Sequence, residues 1–242
     1  MPIVTSDLEM YTSSATDSTG GTITGTAITD NVLNNLFDDI TAGEAETGQT
    51  DYRKVFAKNN HGSLSWLAVQ FWRSVNTTSA DDEISLGIGT SDDDDGSNVL
   101  SAMTGNARIA LISDGADTRP VTLVGEDVSG NRQTESVTLT NGVEVLSVGT
   151  YSKLYLASVA STSASRIVTV KQGSGGSTRG TIGLNKYSAI LYLNPTSATD
   201  AFELGNIAAG ASQGLWLKRV VNLGAGRQSA NTGTIKVQGS TS

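Results

Sequence analysis

From about Arg108 to Gln172 the chain is a series of short runs of Val, Ile, Leu and Thr, each closed by turn residues. No other feature restricts the fold so strongly. The runs ARIALI, RPVTLVGE, RQTESVTLT, VEVLSVG, SKLYLASV and RIVTVKQ are separated by DGAD, DVSGN, TNG and STSAS. Ser129-Gly130-Asn131 and Asn141-Gly142 supply residues that tolerate the positive φ of tight hairpins, so strand and turn are expected to alternate. Apolar spacing of the helical period is rare along the chain. The expected class is all-β, built from sandwich-like modules.

A second constraint lies upstream. Ser63 to Val75 is apolar on both parities: Leu67, Val69, Phe71 and Val75 on one, Leu64, Trp66, Ala68 and Trp72 on the other. Because successive strand residues face opposite sides, such a strand is expected to be covered on both faces. Trp216 lies opposite in parity to Leu215 and Leu217. Either these tryptophans complete an internal core, or their face meets the N-terminal arm, the inserted module or another subunit.

Residues before Thr29 are polar and threonine-rich, with too few apolar side chains for a core of their own. They are expected to form an extended arm, either disordered or laid over another surface. Val32, Leu33, Leu36, Phe37 and Ile40 fall on one helical face, which predicts one short helix capped by Thr29 or Asp30. TAGEAETGQT then reads as a polar loop, and GSGGSTRG (Gly173 to Gly180) as a joint or hairpin tip. Neither Tyr52 to Thr90 nor Phe202 to Gln238 has enough strands for a sandwich alone. The economical arrangement is an arm and helix over 1–50, a discontinuous sandwich from 51–104 plus 188–242, and an inserted β module over 105–187. Three consecutive modules are the rival.

Net charge is −8, with no cysteine among 242 residues. Disulfides and thiolate sites are therefore excluded. Acidic balance argues against nucleic acid as a partner, since phosphate neutralisation needs clustered cations. No apolar run approaches a membrane span, and the opening MPIVTSDLEMY lacks the form of a signal peptide. No membrane partner is expected.

Candidate chemistry is sparse. His61 is the one imidazole, in an expected turn beside Gly62, and no nucleophile or phosphate-binding motif accompanies it. Asp92 to Asp95 fails as a calcium loop: with Gly96 at the sixth position, Ser91 and Ala102 occupy the first and twelfth, where carboxylates are needed. A solvated loop is the simpler reading. Asn76-Thr77-Thr78 is a glycosylation sequon without a secretion signal. The expectation is no catalytic residue, no cofactor and no metal, hence no enzyme.

Two patterns carry a family resemblance. Val121 to Val170 contains V-T-x-x-G-x-D-x-x-G-N, then T-E-x-V-T-L, N-G and a hydrophobic strand after T-Y-S-K. It resembles a module of tailed-phage virion proteins. The outer parts resemble phage structural proteins through DLxxY (Asp7 to Tyr11), LNNLFDDIT (Leu33 to Thr41), Tyr52-Arg53, N-x-H-G-S-L (Asn59 to Leu64) and LGNIAAGASQGLWLKR. The resemblance implies an immunoglobulin-like β-sandwich interrupted by a smaller inserted one, in a virion protein that catalyses nothing. The expected role is a capsid decoration or cement protein, homo-oligomeric, whose partners are the major capsid protein or tail and neck proteins. The alternatives are a tail, neck or baseplate protein of the same fold, and, from another class, a carbohydrate-binding β-sandwich using Trp66 and Trp72 as a stacking platform. Interface residues are expected at Leu64, Trp66, Trp72, Trp216 and Tyr11.

Overall fold

The structure, a computed structural model, describes residues 4–77, 81–92, 95–160, 166–227 and 232–241. A 3-10 turn (Thr5–Asp7) leads into β1 (Leu8–Ser13) and β2 (Ile23–Ala27), then helix α1 (Ala42–Thr47), β3 (Gln49–Asn59), β4 (Trp66–Val75) and β5 (Asp82–Ile88). There follow β6 (Ala107–Ser113), β7 (Pro120–Glu126), β8 (Arg132–Thr138), β9 (Val145–Tyr151), β10 (Lys153–Val159), β11 (Val168–Gln172), β12 (Ser177–Ile182) and β13 (Ser188–Ile190). The chain closes with β14 (Phe202–Ile207), β15 (Ser212–Val221) and β16 (Thr234–Thr241). The protein is all-β with one short α-helix.

Two compact units divide the chain: Met1–Gly87 with Leu193–Ser242, and Ile88–Tyr192. The first holds a five-stranded sheet, β2-β1-β3-β15-β5, and a three-stranded sheet, β14-β4-β16. Its spine is the antiparallel β3–β15 ladder, which runs in unbroken register from Ser212↔Lys58 to Val221↔Gln49. Lys54, Val55, Phe56 and Ala57 are consecutive and buried, as are Leu215, Trp216 and Leu217. Both faces of this pair are therefore covered, the situation expected for Ser63 to Val75.

The expected arm is a correction. Residues 8–27 fold back as β1 and β2, with β1 paired to β3 from Leu8↔Asn59 to Thr12↔Val55. Polar threonines suit such a strand because the sheet supplies the pairing and only Tyr11 and Ser13 are buried.

The expected helix over 30–40 is a second correction. Asn31 and Asn34 have φ of 61° and 57°, outside the helical region. The carbonyl of Leu36, which a helix would bond to Ile40 N–H, accepts instead from Arg53 Nε (3.0 Å), and that of Asp38 accepts from Arg219 Nη1 (2.6 Å). The helix lies in the stretch read as loop. Thr41 is its N-cap, and Thr41 and Glu44 bond each other's backbone in a capping box. The signature T-x-x-E was present in TAGEAE.

The second unit pairs two four-stranded sheets, β13-β10-β7-β8 and β12-β11-β6-β9. Its core holds Ile109, Leu111, Val121, Leu123, Tyr151 and Tyr155. Gly173 to Gly176 turn the β11–β12 hairpin, whose second strand starts at Ser177. Asn98 to Ser101, expected in the outer sandwich, bond to this unit through Leu100 N to Ile190 O (2.8 Å) and Ser101 N to Arg179 O (2.6 Å).

Asp117 is buried and fastens a turn of the second unit. It pairs with Arg119 Nη2 at 2.7 Å and also accepts from the Arg119 backbone N–H at 2.9 Å. Burial alone would push its carboxyl up; the bonds from Arg119 and the charge of Arg166 reverse this and hold it below the ordinary carboxylate range. Its stabilising contribution is thus complete above the unfolded-state pKa and disappears as pH falls through the lower folded value. Asp117→Asn should cost about 2–3 kcal/mol at neutral pH. In denaturant titrations of both proteins, the gap should close only below about pH 4.

Candidate functional site

The structure places the three tryptophans inside their own chain. Trp66 is 2 % exposed, Trp72 6 % and Trp216 0 %. Tyr11 is also buried and Leu64 is half-buried. The interface expected at the tryptophans is therefore corrected: a second subunit could reach them only by opening the first unit. Sugar stacking on Trp66 and Trp72 falls for the same reason, since a stacking platform needs a free ring face.

The cause is a backbone irregularity that parity counting misses. Ala68 has φ of 46°, and between Gln70 and Trp66 strand β4 carries one residue more than its partner β16: Gln238 pairs with Gln70 and Thr241 with Trp66. This β-bulge reverses the alternation. Trp66 then shares a parity with Val69, Phe71 and Arg73, all buried, while Trp72 falls on the other. Phe71 stacks on Phe202 of β14 at 6.4 Å between centroids. No signal in the sequence marks Ala68 as the bulge.

Trp66 also meets backbone. A Cβ added at Gly239 would collide with its Nε1, so the indole lies against the β16 backbone at a position only glycine fits. That Nε1 has no hydrogen-bond partner among the described residues.

His61 serves the turn before β4. Its Nδ1 accepts from the backbone N–H groups of Ser63 (3.1 Å) and Leu64 (3.0 Å). Asn59 completes that turn: its Oδ1 accepts from His61 N, and its Nδ2 donates to Leu64 O and Ile207 O. Tyr11 donates to Glu9 Oε2 at 2.8 Å and accepts from Asn60 Nδ2 at 2.9 Å, and the bond to Glu9 is the main cause of its raised pKa.

In the aspartate run, Asp93 and Asp94 lie outside the described residues. Asp95 pairs with Lys186 at 3.1 Å and accepts from Ser97 N at 2.8 Å. Partial burial pushes its carboxyl up, but Ser97 and Lys186 together bring it below its usual range. Among the described residues no group of three or more His, Asp or Glu could hold a metal ion.

Residues that sequence reasoning missed form a knot on the five-stranded sheet. The Phe37 ring lies 5.4 Å from the Arg53 guanidinium carbon and 4.9 Å from that of Arg219. Arg219 is buried and paired with Asp51 at 2.7 Å. Two cations share one ring, which fixes the segment 28–40 to β3 and β15 and leaves Val32 and Leu33 exposed at its apex. The arrangement offers contact surface and pinned backbone.

No family model, curated protein or solved structure matches this chain. Function is therefore argued from the site itself.

Gly239→Ala should expel the Trp66 indole from its place. A loss of about 2 kcal/mol or more is expected from overpacking against backbone, with a red shift of tryptophan emission in the folded protein. Unchanged emission and melting temperature would show that the indole is not wedged there.

Proposed function

We propose that this chain is a structural, non-enzymatic protein of a tailed-phage virion, and specifically a capsid decoration protein that binds neighbouring capsid subunits. One observation carries the reading: the polar residues within the family-like motifs are engaged in building turns. Asn59 and His61 of N-x-H-G-S-L close the turn before β4. Asp127 of G-x-D-x-x-G-N accepts from the N–H groups of Ser129 (2.8 Å) and Asn131 (2.9 Å), and these bonds hold its carboxyl below the usual range. Motifs of this kind specify a scaffold, and what a scaffold offers is surface.

In a shell, each contact needs only modest affinity because symmetry repeats it and linked sites raise the effective concentration. Two β units in one chain give two sets of loops for such contacts. Net charge of −8 keeps the protein soluble before assembly.

Quantitative mass spectrometry of purified particles, after separation of heads from tails, tests the proposal. The chain is expected with the heads, at a copy number set by capsid symmetry. Recovery with tails alone would move it to a neck, tail or baseplate role. Absence from purified particles would end the virion reading.

A further inference from the structure

Among the described residues four sheets have eight terminal strands, and an unpaired edge is a template for further strand addition unless something blocks it. Seven are blocked. β2 is interrupted, since Tyr11↔Ala27 is followed by Ser13↔Ile23, which leaves two extra residues on β2. β14 is broken by an extra residue before Gly205, whose φ is 80°. β5 is capped by Leu193, which exchanges both backbone bonds with Leu86 at 2.8 and 2.9 Å. Asn98 to Ser101 run along β13 and β12. β8 and β9 are tied together where the Glu135 carboxylate accepts from Val148 N and Gly149 N and Gln133 donates to Thr150 O.

The eighth is β16, and among the described residues nothing pairs with its outer side. Its eight residues form a regular strand without proline, the extra residues of the ladder lying on β4. From Thr234 to Ser240 exposure alternates without a break: 234, 236, 238 and 240 are exposed, while 235, 237 and 239 are half-buried. Ile235 and Val237 thus lie at the rim of the sandwich interior, only partly covered.

We propose that β16 pairs antiparallel with β16 of a second copy, on a two-fold axis through Val237. That register is self-complementary. Val237 meets its own equivalent and Ile235 meets Gly239, which continues the apolar face across the seam. Thr234 meets Ser240, and Lys236 meets the neutral Gln238, so no like charges stand directly opposite. Lys236 is the one charged residue of β16, so the seam brings no carboxylates of this −8 chain face to face. The result is a six-stranded sheet, β14-β4-β16-β16-β4-β14, in a closed two-fold dimer. A single strand pair buries less than a standard interface, so the dimer is concentration-dependent. The inference stands independently of the virion reading and is tested on the purified protein.

Sedimentation velocity over a wide concentration range reads the dimer directly. Position 238 is exposed, so its variants leave the unit folded. Gln238→Lys places a cation opposite Lys236 of the other copy and should weaken the dimer about tenfold, whereas Gln238→Glu should strengthen it about tenfold. The exchange Lys236→Glu with Gln238→Lys recreates an opposite-charge pair in reverse and should reach the affinity of Gln238→Glu, above the parent. Melting temperature of the dilute monomer should stay constant throughout. A parent that is monomeric at every concentration overturns the proposal, as does a dimer indifferent to both charges at 238, or one that both weaken alike.

Discussion

The first unit depends on one interaction, the β3–β15 ladder. It joins residues 49–59 to residues 212–221, so the centre of the five-stranded sheet needs an encounter between distant parts of the chain. β1 and β2 are added to one side of the ladder and β5 to the other. The Arg53 and Arg219 pair that clasps Phe37 exists only once both strands are in register, because each strand contributes one guanidinium. Helix α1 has the same dependence, as Ala45 packs with Ile40 against Val221. A topology of this kind pays its loop-closure entropy before its contacts form, which makes folding slow relative to a chain of local hairpins.

The second unit is organised in the opposite way. β7 and β8 form a local hairpin, as do β11 and β12, and the whole unit comes from one continuous stretch. Here the sequence was most legible, because each turn carries its own chemistry: Asp127 to Asn131 and Asn141-Gly142 stop strands where the backbone needs positive φ or an acceptor. Legibility declined wherever tertiary contacts replaced local signals. β2 has one large apolar residue, Ile23, and no clean alternation; it is a strand because β1 is beside it. The apolar spacing of Val32, Leu33, Leu36, Phe37 and Ile40 imitates a helix, but two arginines brought in from β3 and β15 bind the Leu36 and Asp38 carbonyls and hold the segment in another form. The capping box at Thr41 and Glu44 was local and could have been found.

The candidate site shows the same division. His61 was placed correctly in a turn, since Asn-Asn-His-Gly is turn chemistry. The tryptophans were assigned to faces by counting in twos, and a single extra residue near Ala68 invalidates that count for everything beyond it. Their aromatic area stabilises the interior instead of a partner contact, with Trp66 held against Gly239 and Trp216 near the buried Lys54 ammonium at 6.0 Å. Surface available for recognition is therefore made of backbone edge and small side chains more than of exposed rings.

The bonded pair Leu86 and Leu193 stands where the chain leaves the first unit and where it returns. Its mechanical consequence follows from that position. Tension drawn on the chain at Leu86 and Leu193 would load only the two backbone bonds of this bridge and would meet little resistance. Tension drawn along β3 and β15 would have to shear ten paired residues together. The first unit thus combines a compliant clasp at Leu86 and Leu193 with a stiff spine at β3 and β15.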